Sequence, residues 1–263
     1  MCGGFSYVIC DGMKGVILAA GKGTRLGSLT YSIPKEMVHV CGKPLLQHAV
    51  DLLKAGGIKN MIIIVGNNKG TILDYLKDGS WTGVDASYRF QTELLGIAKA
   101  IYIAKPLVND ETFVVTLGDE IIEPKDRVVK DLVDLHKKMG SKCTLGLSPV
   151  ADPTRYGIVK IDKNGKITEM VEKPQTKEEL ERLKTGGEWL GINGVYVFEP
   201  DIFRFIEKTP VGAKGEYQIT DSIILMLRLG LPCYAVVHRG LYRDVGTPEA
   251  LLETEREMLS RGV

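Results

Sequence analysis

Short apolar runs of strand-forming residues alternate with stretches of helical spacing through the first half of this chain. Gly15–Ala20 (GVILAA), Met61–Val65 (MIIIV) and Thr112–Leu117 (TFVVTL) are continuous rather than alternating. That is the pattern of strands covered on both faces. Between them, Leu45–Lys54 has helical spacing and stops at Gly56-Gly57, and Thr71–Lys77 reads as a short helix. Ile97–Ala104 reads as a helix that Pro106 ends, and Asp126–Met139 as an amphipathic helix closed by Gly140. Ala86–Phe90 and Cys143–Leu147 add strands. The rhythm predicts an α/β fold, a parallel or mixed sheet with helices on both faces.

The second half changes character. Gly157–Ile161 and Ile167–Glu172 flank Asn164-Gly165, a good hairpin signal. Thr176–Lys184 is polar and helical, a solvated insertion; Gly194–Phe198 and Tyr234–Val237 read as strands, and Ile219–Leu229 as a helix. Thr247 caps a terminal helix, Pro248–Leu259, with the proline at its first position. Without repeats or a long linker, the chain reads as one α/β unit carrying an inserted β-rich lobe.

Composition narrows the function. Lys plus Arg is 34 and Asp plus Glu is 33, a formal charge of +1, far from the basic excess of a domain built to grip nucleic acid. No apolar run reaches the ~18 residues of a spanning helix, so no membrane partner is expected. Cysteines stand at 2, 10, 41, 143 and 233, an odd number with no C-x-x-C, against a disulfide framework or structural zinc. The histidines, at 39, 48, 136 and 238, form no H-E-x-x-H. Residues 1–12 lack the basic start of a signal peptide. Met13 precedes the first clear strand, so these twelve read as an extension or a misplaced start. The expectation is a reduced, cytoplasmic protein.

The most informative segment is Leu18–Leu26, glycine-rich and directly after a strand. Gly21, Gly23 and Gly27 give G-x-G-x-x-x-G, not the dinucleotide fingerprint G-x-G-x-x-G. The acid expected about twenty residues on is missing too, which argues against a dehydrogenase. The P-loop motif is absent. Read alone, the segment is either a loop whose amides approach a phosphate or a tight turn that merely needs glycine. Thr24-Arg25 favours the phosphate, because an arginine beside exposed amides suits a polyphosphate.

Gly21-Lys22-Gly23-Thr24-Arg25-Leu26, with Pro34-Lys35 ten residues beyond Arg25, resembles the signature of sugar-1-phosphate nucleotidylyltransferases. Asp78-Gly79-Ser80, Gln91, Leu95-Gly96-Ile97-Ala98, Leu117-Gly118-Asp119, Glu172-Lys173-Pro174 and Asp244-Val245-Gly246-Thr247 follow in that family's order, from Met13 to the last helix. The glucose-1-phosphate thymidylyltransferases are the nearest subgroup, through Leu29–Lys35 and Leu95–Ala98. Ile33–Met37 and Glu216–Asp221 also look like bacterial glucose-1-phosphate uridylyltransferases.

The resemblance implies a Rossmann-like, mostly parallel mixed sheet in a single nucleotidyltransferase domain, 1–263. Within it, 13–150 would be mainly nucleotide-binding, 151–246 mainly a sugar-phosphate-binding lobe and 247–263 a terminal helix. The reaction would be dTTP with glucose 1-phosphate giving dTDP-glucose and pyrophosphate. The alternatives are UTP giving UDP-glucose, or a non-catalytic nucleotide-sugar regulator. Arg25, Lys35 and Lys173 would be catalytic. Gly21, Gly23, Thr24, Arg25, Gln91, Gly96 and Asp119 would bind the nucleotide. Tyr156, Gly157, Glu172, Lys173, Asn193 and Tyr242 would bind the sugar phosphate, and Asp119 and Asp244 would hold Mg²⁺. Hairpin packing explains Tyr156 and Tyr242 nearly as well, and turn capping is the plain alternative for each aspartate. Three departures stand out: Glu120 replaces a common Asn, Gly27-Ser28 a basic residue and proline, and Lys99 a histidine or small residue. The chain carries no left-handed β-helix repeats, so no acyltransferase domain is expected. It is shorter than relatives with a regulatory C-terminal segment, which leaves homo-oligomer assembly and feedback open.

Overall fold

The computed structural model describes residues 12–66, 69–212 and 215–262. Cys2, Cys10 and all but the last residue of the expected extension lie outside the described residues. In chain order, the first half runs β1 (Lys14–Ala19), β2 (His39–Val40), β3 (Lys43–Pro44), α1 (Leu45–Ala55), β4 (Asn60–Val65), α2 (Gly70–Leu76), β5 (Asp85–Phe90), α3 (Ile97–Ile103), α4 (Lys105–Val108), β6 (Phe113–Leu117), β7 (Glu120–Ile122) and α5 (Lys125–Met139). The second half runs β8 (Cys143–Pro149), β9 (Gly157–Ile161), β10 (Ile167–Glu172), α6 (Lys177–Arg182), β11 (Leu190–Phe198), α7 (Ile202–Lys208), α8 (Ile219–Arg228), β12 (Cys233–Val237), β13 (Tyr242–Asp244) and α9 (Pro248–Arg261).

Nine strands form one mixed sheet. Its main path is β10-β9-β11-β6-β1-β4-β5, with β8 paired to β11 and β12 to β8. The centre is parallel: Val16 of β1 sits beside Ile62 of β4 on one side and Val115 of β6 on the other. Strand β11 enters antiparallel to β6, β8 and β9 and joins the hairpin β9–β10 to the same sheet. The β-rich lobe is therefore an extension of the main sheet.

The continuous apolar runs have a direct cause. Side chains alternate across a strand. In β1, Val16 and Leu18 pack with Ala98, Ile101, Phe203, Ile219 and Ile223 of α3, α7 and α8. Ile17 and Ala19 pack on the other face with Leu46, Val50, Ile72, Val129 and Leu132 of α1, α2 and α5. A third apolar cluster (Leu26, Val38, Val40, Leu45, Ile121, Leu241, Val245, Met258) joins the glycine-rich loop to β7, β13 and α9.

Several boundaries differ from expectation. Pro106 does not end the helix before it; that helix stops at Ile103, and Pro106 lies in the first turn of α4. A proline is tolerated there because the first-turn amides have no helical partner. Strand β11 begins at Leu190, not Gly194, and runs through an irregularity in its pairing with β8 between Ile192 and Tyr196. The three-residue strands β7 and β13 are too short to carry a period, and α7 is a further helix that the sequence pattern did not give. At Thr247 the expected cap is present, its hydroxyl accepting from the Ala250 amide at 3.2 Å.

Three histidines are buried. His48 Nε2 lies 3.1 Å from the Val40 carbonyl. His136 bridges the Thr144 hydroxyl at 2.9 Å and Glu199 at 3.1 Å, and His238 lies 4.0 Å from Asp131. Burial holds each below its ordinary value of 6.5. A histidine depressed in the folded state stabilises the fold above its unfolded pKa and loses that contribution as pH falls through the folded value. The three histidines should therefore pull the melting temperature down as pH is lowered from ~7.5 through ~6.5 to ~5. A His48→Gln variant, which lacks one of these groups, should lose less of its midpoint over that range in a thermal melt, and an equal loss would contradict this.

Candidate active site

The carboxyl ends of β1 and β6 meet at one hydrogen bond, Gly118 N–H to the Leu18 carbonyl at 2.9 Å. Beyond those ends opens a cavity of about 700 Å³, where open α/β sheets bind ligands. Of the expected site residues, Gly21, Gly23, Thr24, Arg25, Lys35, Gln91, Gly96, Asp119, Lys173 and Asp244 line it.

The glycine-rich loop has two jobs here. Gly23 adopts φ +68, open chiefly to glycine, and leads into the 3₁₀ segment Thr24–Thr30. A Cβ at Gly21 would stand 2.8 Å from Lys35 Cε, and one at Gly23 2.8 Å from Lys35 Cβ. The glycines clear a channel for the Lys35 side chain. Among the described residues, no acceptor faces the N–H groups from Gly21 to Arg25. Those amides are available to an anion.

Lys35 leaves a 3₁₀ turn, Lys35–Met37, whose preceding residue is Pro34. Its ammonium pairs with the Asp119 carboxylate. Burial opposes the charge on Lys35, yet Asp119, Glu36 and Asp244 outweigh it and hold its pKa above 10.5. Arg25 stands 3.5 Å from Asp244. Gly246 makes room for the guanidinium, since a Cβ there would lie 2.6 Å from Arg25 Nη2. Asp244 ends β13, directly across from Glu120 in the β7–β13 pair.

On another wall, Lys173 has φ +47, a left-handed conformation that costs a non-glycine residue roughly 1–2 kcal/mol. Its amide donates to the Tyr156 carbonyl at 3.0 Å. The Gln175 amide group donates to the Lys173 carbonyl at 2.9 Å and the Thr154 carbonyl at 3.3 Å. These bonds stitch the Lys173 turn to the turn that carries Arg155, a cavity residue the sequence reading missed. Arg155 sits in an ordinary Asp-Pro-Thr turn, with no signal of its own. Glu216 and Gln218 were also missed as cavity residues. Gly96 (φ +95) packs so closely on their segment that a Cβ would meet the Tyr217 carbonyl oxygen at 2.7 Å. Gln91 is buried at the end of β5, its amide bonded to the Val65 carbonyl at 2.7 Å.

Tyr156, Gly157, Glu172, Asn193 and Tyr242 are not among the residues that line the cavity, although Glu172 meets it through Lys173, its Oε1 3.1 Å from the Lys173 Nζ. Gly157 is buried against Glu172, Ile192 and Thr220. Asn193 is fully buried, its amide donating to Ser148 Oγ at 3.2 Å. Tyr156 and Tyr242 meet edge to face at 6.0 Å. The Tyr242 hydroxyl donates to Glu120 Oε1 at 3.0 Å. Glu120 reaches the cavity wall. Burial raises its pKa well above 4.5, and Asp119 and Asp244 add to that. Its Oε2 has no partner among the described residues and would be 1.8 Å from a Cβ at Gly194, which has φ +74.

The described residues contain no cluster of three or more His, Cys, Asp or Glu arranged to hold a metal. Asp119 and Asp244 are nevertheless a fitting partial donor set for Mg²⁺. They are hard carboxylates on neighbouring segments, tied by the Val245 amide to the Asp119 carbonyl at 3.2 Å. Mg²⁺ commonly takes one or two carboxylates and completes its shell with phosphate oxygens and water. Tyr242→Phe should destabilise the fold by about 1–3 kcal/mol, because it strips a buried carboxyl of its donor. Urea unfolding measures this, and an unchanged midpoint would show that Glu120 does not depend on the hydroxyl.

A profile of the nucleotidyl transferase family matches residues 14–261. The low-salt glycan biosynthesis nucleotidyltransferase Agl11 of Haloferax volcanii is 37% identical over 248 residues, 94% of this chain and 66% of that protein. A glucose-1-phosphate thymidylyltransferase of Streptomyces antibioticus is 31% identical, again over 94% of this chain and 66% of its own. The chain thus spans about two thirds of the length of these two curated relatives. A UDP-glucose pyrophosphorylase crystallised with UDP-glucose superposes with a TM-score of 0.82 at 28% identity, covering 95% of this chain and 99% of that one. No described helix is long and apolar enough to cross a membrane. A nearly full-length profile match and a shared fold agree: the chain belongs to the nucleotidyl transferase family.

Proposed function

We propose that this protein transfers a pyrimidine nucleotidyl group from a nucleoside triphosphate to a sugar 1-phosphate, releasing pyrophosphate. The observation that carries the reading is the cavity itself. It brings the free amides of Gly21–Arg25, the cations Arg25, Lys35, Arg155 and Lys173, and the carboxylates Asp119 and Asp244 together in one space. Two anionic reactants need such a place. Relatives and solved structures named for both thymidylyl and uridylyl chemistry resemble this chain. The reading takes dTTP with glucose 1-phosphate as the first pair and UTP as the alternative.

A phosphate oxygen of the sugar phosphate attacks the α-phosphorus. The bond from that phosphorus to the bridging oxygen breaks, and pyrophosphate leaves with the electron pair. No protein nucleophile is required, so positioning and charge neutralisation do the work. The amides of the glycine-rich loop and Arg25 bind the outer phosphates. Lys35 is held charged by its carboxylate neighbours and offsets charge at the α-phosphate and the departing oxygen. Lys173 and Arg155 bind the sugar phosphate from the opposite lobe. Gln91, with an amide that both donates and accepts, faces the base. Asp119 and Asp244 would hold Mg²⁺, which supplies neutralisation of charge on the phosphates of both reactants. Glu172, Asn193 and Tyr242 would act on the sugar from behind the lining, by setting the shape of its pocket.

The test is pyrophosphate release with Mg²⁺ across dTTP, UTP, CTP, GTP and ATP, with and without glucose 1-phosphate. Release that depends on the sugar phosphate and is strongest with dTTP or UTP is expected. Arg25→Ala and Asp119→Asn should each lower kcat/KM by about 10²–10³-fold, the scale for loss of one preorganised charge contact. Full activity in Asp119→Asn would remove the metal assignment, and silence with every triphosphate and a wider set of sugar phosphates would remove the reaction.

A further inference from the structure

Beneath the glycine-rich loop lies a buried ion pair that the proposed reaction does not use directly. Lys69, just before α2, has 6% exposure, and Glu36 has none. Their Nζ and Oε2 atoms are 2.6 Å apart. Neither residue lines the cavity. An isolated buried pair is weak grounds for stability, since well-packed apolar residues often serve as well. This pair has a second connection. Lys69 Nζ also donates to the carbonyl of Gly21 at 2.9 Å. A Cβ at Gly21 would lie 3.8 Å from Glu36 Oε1, and one at Gly118 3.3 Å from Glu36 Cγ. Glu36 thus fills the space under the loop and holds Lys69 in place.

A trans peptide points its C=O and its N–H in opposite directions. The Gly21–Lys22 bond is trans. Its carbonyl is drawn inward by a buried ammonium, so its amide, the Lys22 N–H, must face the other way. Gly21 and Lys22 line the cavity whereas Lys69 does not, and no acceptor among the described residues meets the Lys22 N–H, which points that amide to the cavity side. Glycine at position 21 would otherwise let this peptide rotate readily. We infer that Lys69, held by Glu36, is a positioning residue that locks the Gly21–Lys22 peptide with its amide toward the cavity and so presets the loop for a polyphosphate. The inference rests on the proposed use of the loop as an anion cradle, and it extends that reading to a residue outside the cavity.

Lys69→Met alone would strand the buried Glu36 carboxylate and could fail to fold. The decisive protein is therefore the double variant Glu36→Met/Lys69→Met, which removes both charges, leaves the net charge unchanged and keeps two straight apolar chains in the space. Binding of inorganic tripolyphosphate is measured by calorimetry on the wild type and the double variant, alongside their melting temperatures. The expected result is a double variant with a wild-type melt that binds tripolyphosphate about tenfold or more weakly, the scale of one lost hydrogen bond to an anion. In turnover assays its KM for the triphosphate should rise while its KM for the sugar phosphate stays put. A double variant that binds tripolyphosphate as tightly as the wild type overturns the inference, as does a wild type that binds none. Failure of the wild type to release pyrophosphate while still binding tripolyphosphate would sink the sugar-phosphate reaction but leave the positioning role standing.

Discussion

One hydrogen bond, Gly118 N–H to the Leu18 carbonyl, marks where the sheet stops being a sheet. Strand β1 is paired with β4 and β6, and β6 with β1 and β11, so up to this point the two strands have hydrogen-bonding neighbours on both edges. Beyond it the chain has to turn away on both strands at once. The result is a crevice bordered by backbone that the ladder no longer satisfies. The glycine-rich loop comes from one strand and Asp119 from the other, so the site is assembled at the seam.

The cavity is also an exercise in charge compensation. Lys35 faces Asp119, Arg25 faces Asp244, Lys173 faces Glu172 at 3.1 Å, and beneath them Lys69 faces Glu36. Three of the cavity cations, Arg25, Lys35 and Lys173, thus each stand beside a carboxylate that offsets their mutual repulsion, whereas Arg155 makes no such pair among the described residues. Under the proposed function, an incoming polyphosphate would exchange partners with side chains already held in place by these pairs.

Much of the layout was legible because its causes are local. Continuous apolar runs mean strands covered twice, and β1, β4 and β6 are where GVILAA, MIIIV and TFVVTL stand. Glycine at 21 and 23 pointed to close approach, although the party that approaches includes Lys35 itself. What stayed hidden depends on contacts across long stretches of chain. Arg155 enters the cavity because the side chain of Gln175 ties two turns together, and no spacing announces that. Lys69 acts through a carbonyl 48 positions away. Tyr156, Asn193 and Tyr242, which the family resemblance assigns to the sugar phosphate, are not among the cavity-lining residues; the two tyrosines meet edge to face and Asn193 sits in the irregular stretch of β11.

The contact between Gly96 and the Tyr217 backbone has a wider meaning. Leu95 and Tyr217 are joined by an amide-to-carbonyl bond of 2.7 Å, and the Ala98 amide returns to the Tyr217 carbonyl at 3.1 Å. Two segments more than a hundred residues apart are thus tied, backbone to backbone, into one wall of the cavity. A side chain at Gly96 would press on the Tyr217 backbone and disturb both strips together. The shape of this side of the cavity is therefore set by main chain from two distant parts of the sequence rather than by any one side chain.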